Sequence, residues 1–220
     1  MNKAQILIIM VPVVLFSLTV HEYSHGKVAF LLGDDTAKRL GRLSFNPLKH
    51  LDLFGVISFY FIGFGWAKPV PVDPRHFRDM RRDMMYVALA GPFSNVVLAL
   101  VFSFIIRVME PYESPALFTL LALGIFINTS LAIFNMLPIF PLDGSSIVKG
   151  LLPQSVAENL GNLDRFGAFM LLGIILLDQF ANTRILASLI GGPLTYALEF
   201  ITQEQFANVA QIIQMSFSVL

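Results

Sequence analysis

The chain has 220 residues, 55% of them hydrophobic and only 14% charged, with 15 Lys and Arg against 15 Asp and Glu. Soluble domains carry about 25% charged residues, so this composition argues against one, and a net charge of zero excludes the basic footprint of a nucleic-acid-binding protein. Cysteine is absent, which excludes disulfides, a thiol nucleophile and any Cys-based zinc site; a metal site must draw on His and carboxylates.

The apolar residues fall in blocks of the length that membrane spans require. The first predicted helix runs from Ala4 to Leu32 and ends near Gly33, with Pro12 as a potential kink. Its start is shaped like a signal peptide, but no A-x-A-like cleavage site follows, so it is read as a span. Residues 34–52 are polar, with Asn46-Pro47 as a turn signal and Arg39 to Phe45 as a predicted short strand. Leu53 to Trp66 is apolar and rich in aromatic and β-branched residues, yet short for a span, which predicts a small β-hairpin or re-entrant segment. Lys68 to Asp83 is polar and carries three prolines.

Met84 to Ile106 is a second predicted span, with Gly91-Pro92 and Asn95 inside it. An acidic turn, Glu110 to Pro115, leads to a third span from Ala116 to Leu137, which holds Asn128 and Asn135. Pro138 and Pro141 then break the helix and expose backbone. Phe166 to Leu177 and Ile185 to Phe200 are further apolar blocks, and the amphipathic tail beyond Gln203 is expected on the membrane surface. No repeat or linker divides the chain. The expected fold is therefore an all-α polytopic membrane protein with about four to six transmembrane helices and a small β-hairpin or re-entrant segment between the first two, forming one membrane-embedded domain over residues 1–220.

Charge orients the spans. Nine of the 15 Lys and Arg residues lie between Lys38 and Arg82, which the positive-inside rule assigns to the cytoplasm. The end of the first helix and the Pro138 to Asp143 segment then reach the same, cytoplasmic side. The expected location is the plasma membrane, multi-pass.

His21-Glu22-Tyr23-Ser24-His25 reads H-E-x-x-H. Residues four apart share a helical face, so the two imidazoles can meet one metal ion, with Glu22 close enough to act on water beside it. Random shuffling of this composition gives the string in roughly one chain in several hundred, and ionisable groups within apolar spans are costly unless functional. Zinc needs a third protein ligand. By type the candidates are Asp34, Asp35, Asp52, Asp143, His50 and His76. Asp143 stands out because Phe140, Pro141 and Leu142 flank it; its bland alternative is an N-cap for a short helix from Gly144 to Leu152. Asn128 reads best as an interhelical hydrogen-bonding group.

Three segments together resemble the site-2 protease family of intramembrane zinc metalloproteases: His21 to His25, Gly91-Pro92-Phe93-Ser94-Asn95, and Asn135 to Gly144. Gly65-Trp66-Ala67-Lys68-Pro69-Val70-Pro71-Val72 is also similar to short bacterial members. The resemblance implies that His21, His25 and Asp143 bind one Zn2+, that Glu22 is the catalytic acid/base, and that Asn95 and Asn135 position substrate or stabilise the oxyanion. It implies a membrane-protein substrate with a transmembrane helix, in a lipid bilayer, with no PDZ-like or CBS-like segment in 220 residues. The alternatives are a catalytically inactive membrane scaffold that binds transmembrane helices, against which Glu22 argues, and a transporter, against which the lack of an inverted repeat argues.

Overall fold

Helix α1 (Lys3–Leu31) opens on a capping box, in which Asn2 accepts from the Gln5 N–H and the Gln5 side chain accepts from the Asn2 N–H. It closes where Gly33 takes φ +113° and the Asp34 N–H returns to the Ala29 carbonyl at 2.9 Å. The structure is a computed structural model that describes residues 2–62, 65–109 and 114–219. After α1 come α2 (Thr36–Arg39), α3 (Leu53–Ile62), α4 (Met80–Met109), α5 (Pro115–Asn135), α6 (Asp143–Leu151), α7 (Gln154–Ala181), α8 (Ile185–Thr202) and α9 (Phe206–Val219).

The protein is an all-α polytopic membrane protein. Four stretches among the described residues are long and apolar enough to cross a membrane: Lys3–Leu31, Met80–Met109, Pro115–Asn135 and Ile185–Ser218. A fifth arises if the two parts of α7, Gln154–Asn162 and Asp164–Ala181, bent by 57°, count as one span.

Helix α5 lies at the centre. On one side Leu123 and Ile127 pack with Met10 and Val13 of α1. On the other, Phe118, Leu121, Ala122 and Ile125 pack with Ala99 and Ile106 of α4, Leu198 and Ile201 of α8, and Val209 of α9. Lipid tails are as apolar as these side chains, so such contacts act through close van der Waals fit and not through escape from water. Gly124 shows how close that fit is. A Cβ there would meet the Phe102 ring of α4 at 2.8 Å. At the far end of α4, Ser103 and Arg107 both donate to the Ile201 carbonyl, at 2.7 Å each, just before the turn Gln203–Gln205 interrupts the last span. The tail differs from its expected surface position, since Val209 is in the main core and Phe217 meets Phe126 edge-on.

The connection from α1 to α4 is the part that departs most from expectation. Arg39 to Phe45 is not a strand. The N–H groups of Arg42 and Leu43 both return to the Ala37 carbonyl and Gly41 takes φ +64°, so the segment curls on itself. Leu53–Ile62 is a ten-residue helix, and β pairing among the described residues is one bridge, Leu51 with Ala67. Positions 63 and 64 of the expected hairpin lie outside the described residues, as do Glu110 and Glu113 of the acidic turn. Leu53, Phe54, Val56, Ile57, Phe59 and Phe61 of α3 are all exposed. An apolar helix with so many exposed side chains suits the lipid environment of a membrane protein.

Residues 65–73 form an extended strap that runs back across α1 and ends in a 3-10 turn at Pro74–His76. The Lys68 N–H donates to the His50 carbonyl at 2.8 Å, and the Arg42 guanidinium donates to the carbonyls of Lys68 and Pro69. Further along, fully buried Asp34 accepts from the Asp73 N–H, the Thr36 N–H and hydroxyl, and His76 Nδ1. Burial pushes the Asp34 carboxyl up, but these donors, the Thr36 hydroxyl first, outweigh it and hold the group below the usual carboxylate range.

Candidate metal centre

His21 and His25 stand one turn apart on α1, with ring centroids 4.6 Å apart and ring planes nearly perpendicular. The two Nε2 atoms are 3.0 Å apart. Asp143, at the first position of α6, brings Oδ2 to 3.3 Å from His21 Nε2 and 3.4 Å from His25 Nε2. The helix break at Pro138 to Pro141 turns the chain back so that α6 starts against α1. Leu142 takes the N-cap position and Asp143 is already the first residue of the helix, so Asp143 is not the N-cap.

The other candidate ligands are engaged elsewhere. Asp34 pairs with His76, Asp35 with Arg39, and Asp52 accepts from the Gly55 N–H at the start of α3. His50 Nε2 donates to the Ser44 carbonyl. Among the described residues, His21, His25 and Asp143 are the only group of three whose ligand-type atoms converge.

Tautomers decide what that convergence means. His25 Nδ1 lies 2.7 Å from the Val87 carbonyl, which only accepts, so Nδ1 carries a proton and, in the neutral ring, Nε2 is the nitrogen with the lone pair. His21 Nδ1 lies 2.6 Å from Asn95 Oδ1, which gives it the same tautomer. Two imidazole lone pairs thus face each other and a carboxylate oxygen, and Asp143 Oδ2 is buried without a hydrogen-bond partner. Positive charge is needed between them. A tetrahedral zinc with ligand distances of about 2.0–2.1 Å separates its ligand atoms by about 3.3 Å. The observed triangle of 3.0, 3.3 and 3.4 Å fits that group.

Helix α4 closes on the imidazoles at Gly91. A Cβ at this position would lie 2.4 Å from His25 Nε2 and 2.5 Å from His21 Cε1, so only glycine leaves the rings their place. Glu22, next to His21, is buried and accepts the Val70 N–H of the strap on Oε2 at 2.8 Å. That contact was not legible from the motif, although Pro69-Val70-Pro71, which leaves one N–H among three residues, was its signal.

Asn95, expected to position substrate or stabilise the oxyanion, lies beside His21. It is fully buried, with Oδ1 on His21 and Nδ2 donating to Asn128 Oδ1 at 2.8 Å, so no part of its amide is open to a substrate. Asn135, in the last turn of α5, is half-buried and donates to the Leu131 carbonyl at 3.0 Å.

The fold and this triangle define a polytopic membrane protein with a His-His-Asp site fit for a divalent metal. Comparison with known proteins extends this. The family model "Peptidase family M50" matches residues 105–177. The chain is 39% identical over 170 residues, 74% of its own length and 78% of the relative's, to "Putative zinc metalloprotease YwhC" of Bacillus subtilis. It is 27% identical over 173 residues, 76% of this chain and 66% of the relative, to "Putative zinc metalloprotease Rip2" of Mycolicibacterium smegmatis. A 63-residue stretch, 29% of this chain and 32% of the relative, is 44% identical to "Putative zinc metalloprotease MJ0611" of Methanocaldococcus jannaschii. No solved structure matches significantly. The chain belongs to peptidase family M50, the site-2 protease family of membrane metalloproteases.

Proposed function

We propose that this protein is an intramembrane zinc metalloprotease that hydrolyses peptide bonds in or near transmembrane segments of membrane-protein substrates, in the manner of regulated intramembrane proteolysis. His21, His25 and Asp143 hold one zinc per chain, and Glu22 is the acid/base. The domain spans residues 1–220 in the plasma membrane, with the site toward the cytoplasm, where the cluster of nine cations between Lys38 and Arg82 supports that orientation. The observation that carries the reading is the Asp143 Oδ2, without a hydrogen-bond partner, converging with the Nε2 atoms of His21 and His25 beside a buried glutamate.

Zinc, when bound, supplies a Lewis acid and makes water more acidic. The rest is done by the chain. Glu22 takes the proton of the attacking water and returns it to the leaving amine. The Val70 N–H on Oε2 holds the carboxylate in one orientation, leaving Oε1 for that transfer. A helical substrate hides its carbonyls in its own hydrogen bonds, so it is unwound before cleavage; Asn135, at the proline break, is placed in this reading to hold the freed backbone.

The test uses purified protein in detergent, assayed for bound zinc and for cleavage of a model transmembrane peptide. The expected result is that Glu22→Ala keeps its zinc and loses cleavage by about 10²–10⁴-fold, while Asp143→Ala loses zinc. A wild-type protein that binds zinc but cleaves nothing would favour the inactive scaffold, and one that binds no zinc would end the metal reading.

A further inference from the structure

Ser17, Asn95 and Asn128 are fully buried on three different helices, α1, α4 and α5, at the level of the metal triangle. Asn128 Nδ2 lies 2.8 Å from the Gly124 carbonyl and 2.8 Å from Ser17 Oγ. Asn128 Oδ1 meets Asn95 Nδ2, and Asn95 Oδ1 meets His21 Nδ1.

The direction of this chain is forced. The Gly124 carbonyl can only accept, so the Asn128 atom beside it is the NH₂ group and its oxygen faces Asn95. Asn95 must answer with its own NH₂, which turns its oxygen toward His21. His21 Nδ1 must then carry the proton, and Nε2 is left bare toward His25 and Asp143. One backbone carbonyl on α5 thereby fixes, through two amides, which nitrogen of His21 is free.

We propose that Asn128 is a positioning residue for the metal site, acting with Ser17 and the Gly124 carbonyl as a tautomer lock on His21. The proposal rests on the metal reading above. Without Asn128, only the longer 3.5 Å contact to the Ser17 carbonyl holds the Asn95 NH₂ group in place, so the amide is less restrained from turning over to present NH₂ to His21. The ring proton then moves to Nε2, the atom needed for zinc. Partners that orient a ligating His typically change metal affinity by about 10–100-fold when removed.

The experiment titrates zinc against a competing chelator on detergent-solubilised full-length protein, with thermal unfolding as a fold control. Asn128→Leu and the milder Asn128→Ala are expected to weaken zinc binding by about 10–100-fold. The decisive variant is Asn128→Leu combined with Asn95→Asp. Both oxygens of the introduced carboxylate accept, so its orientation no longer matters and His21 Nδ1–H is satisfied either way. Zinc affinity is expected to recover in this double variant although the Asn128→Leu change is still in place. A purely structural role for Asn128 would leave the double variant as weak as the single one, and that result overturns the proposal, as does unchanged affinity in both single variants. His21→Ala separates the two readings: equal zinc binding by wild type and His21→Ala overturns the metal site itself, whereas loss in His21→Ala with no loss in the Asn128 variants overturns only the lock.

Discussion

Val70 donates its backbone N–H to Glu22 Oε2 at 2.8 Å, across 48 residues of chain. The donor belongs to the backbone, so side-chain identity at 70 matters less than the presence of a proton on its nitrogen. Val70→Pro removes that proton and Val70→Ala keeps it. A hydrogen bond to a charged group is worth about 1.5–3 kcal/mol. Val70→Pro is expected to lower kcat by about one to two orders of magnitude, with zinc content unchanged and KM little affected. Val70→Ala, which loses only the methyl contacts over Gly26, is expected to stay near wild type. Equal loss in both variants would show that packing of the strap, and not its N–H, supports Glu22.

Gly91→Ala is expected to disable the site without unfolding the protein. The new methyl falls 2.4 Å from His25 Nε2 and 2.5 Å from His21 Cε1, in a wall that α4 cannot move without disturbing its packing on α5. Zinc measured per chain is expected to fall sharply while circular dichroism and thermal unfolding change little. Full zinc occupancy in this variant would mean that the helices have more slack than the distances allow.

Asp34→Ala is expected to release the strap. It leaves the Asp73 N–H, Thr36 and His76 without their buried acceptor, at a cost of about 2–4 kcal/mol. Hydrogen exchange at the Val70 and Asp73 amides is expected to accelerate together, because both belong to one connection anchored at this carboxylate.

The same carboxylate gives a pH dependence with a definite sign. The folded pKa of Asp34 is lowered, so its contribution is present above the unfolded value of about 3.9 and is lost as pH falls through the folded one. The stability gap between wild type and Asp34→Asn is expected to shrink as pH falls below about 4, where the carboxylate takes up its proton. A gap that closes near pH 6 would point to protonation of a different group.

The spans and the imidazole pair were legible because both are periodic signals: apolar blocks in one case, a four-residue repeat in the other. Asp143 was legible because a carboxylate among Phe140, Pro141 and Leu142 has no local partner. The strand expected at Arg39 to Phe45 was not, since Gly41 at φ +64° and the returning N–H groups of Arg42 and Leu43 outweigh the propensity of single residues. Leu53–Ile62 has the side chains of a strand, yet a helix satisfies its own backbone in an apolar solvent and a lone strand does not. Asn95 illustrates a third kind of gap. Its motif points to the active site, but only the positions of Asn128 and the Gly124 carbonyl show that its oxygen is turned to His21.

The bond from Arg107 to the Ile201 carbonyl supplies a depth gauge. A guanidinium marks the edge of the hydrocarbon layer, and Gly91, which touches both imidazoles, lies sixteen residues back along α4. At 1.5 Å per residue that is about 24 Å of a layer about 30 Å thick. By that gauge the metal triangle lies on the side of the layer away from Arg107, toward the charged start of α4 at Arg81, Arg82 and Asp83. For the hydrolysis proposed above, water would then need to come only from the side of the layer where α4 begins, and not across its full thickness.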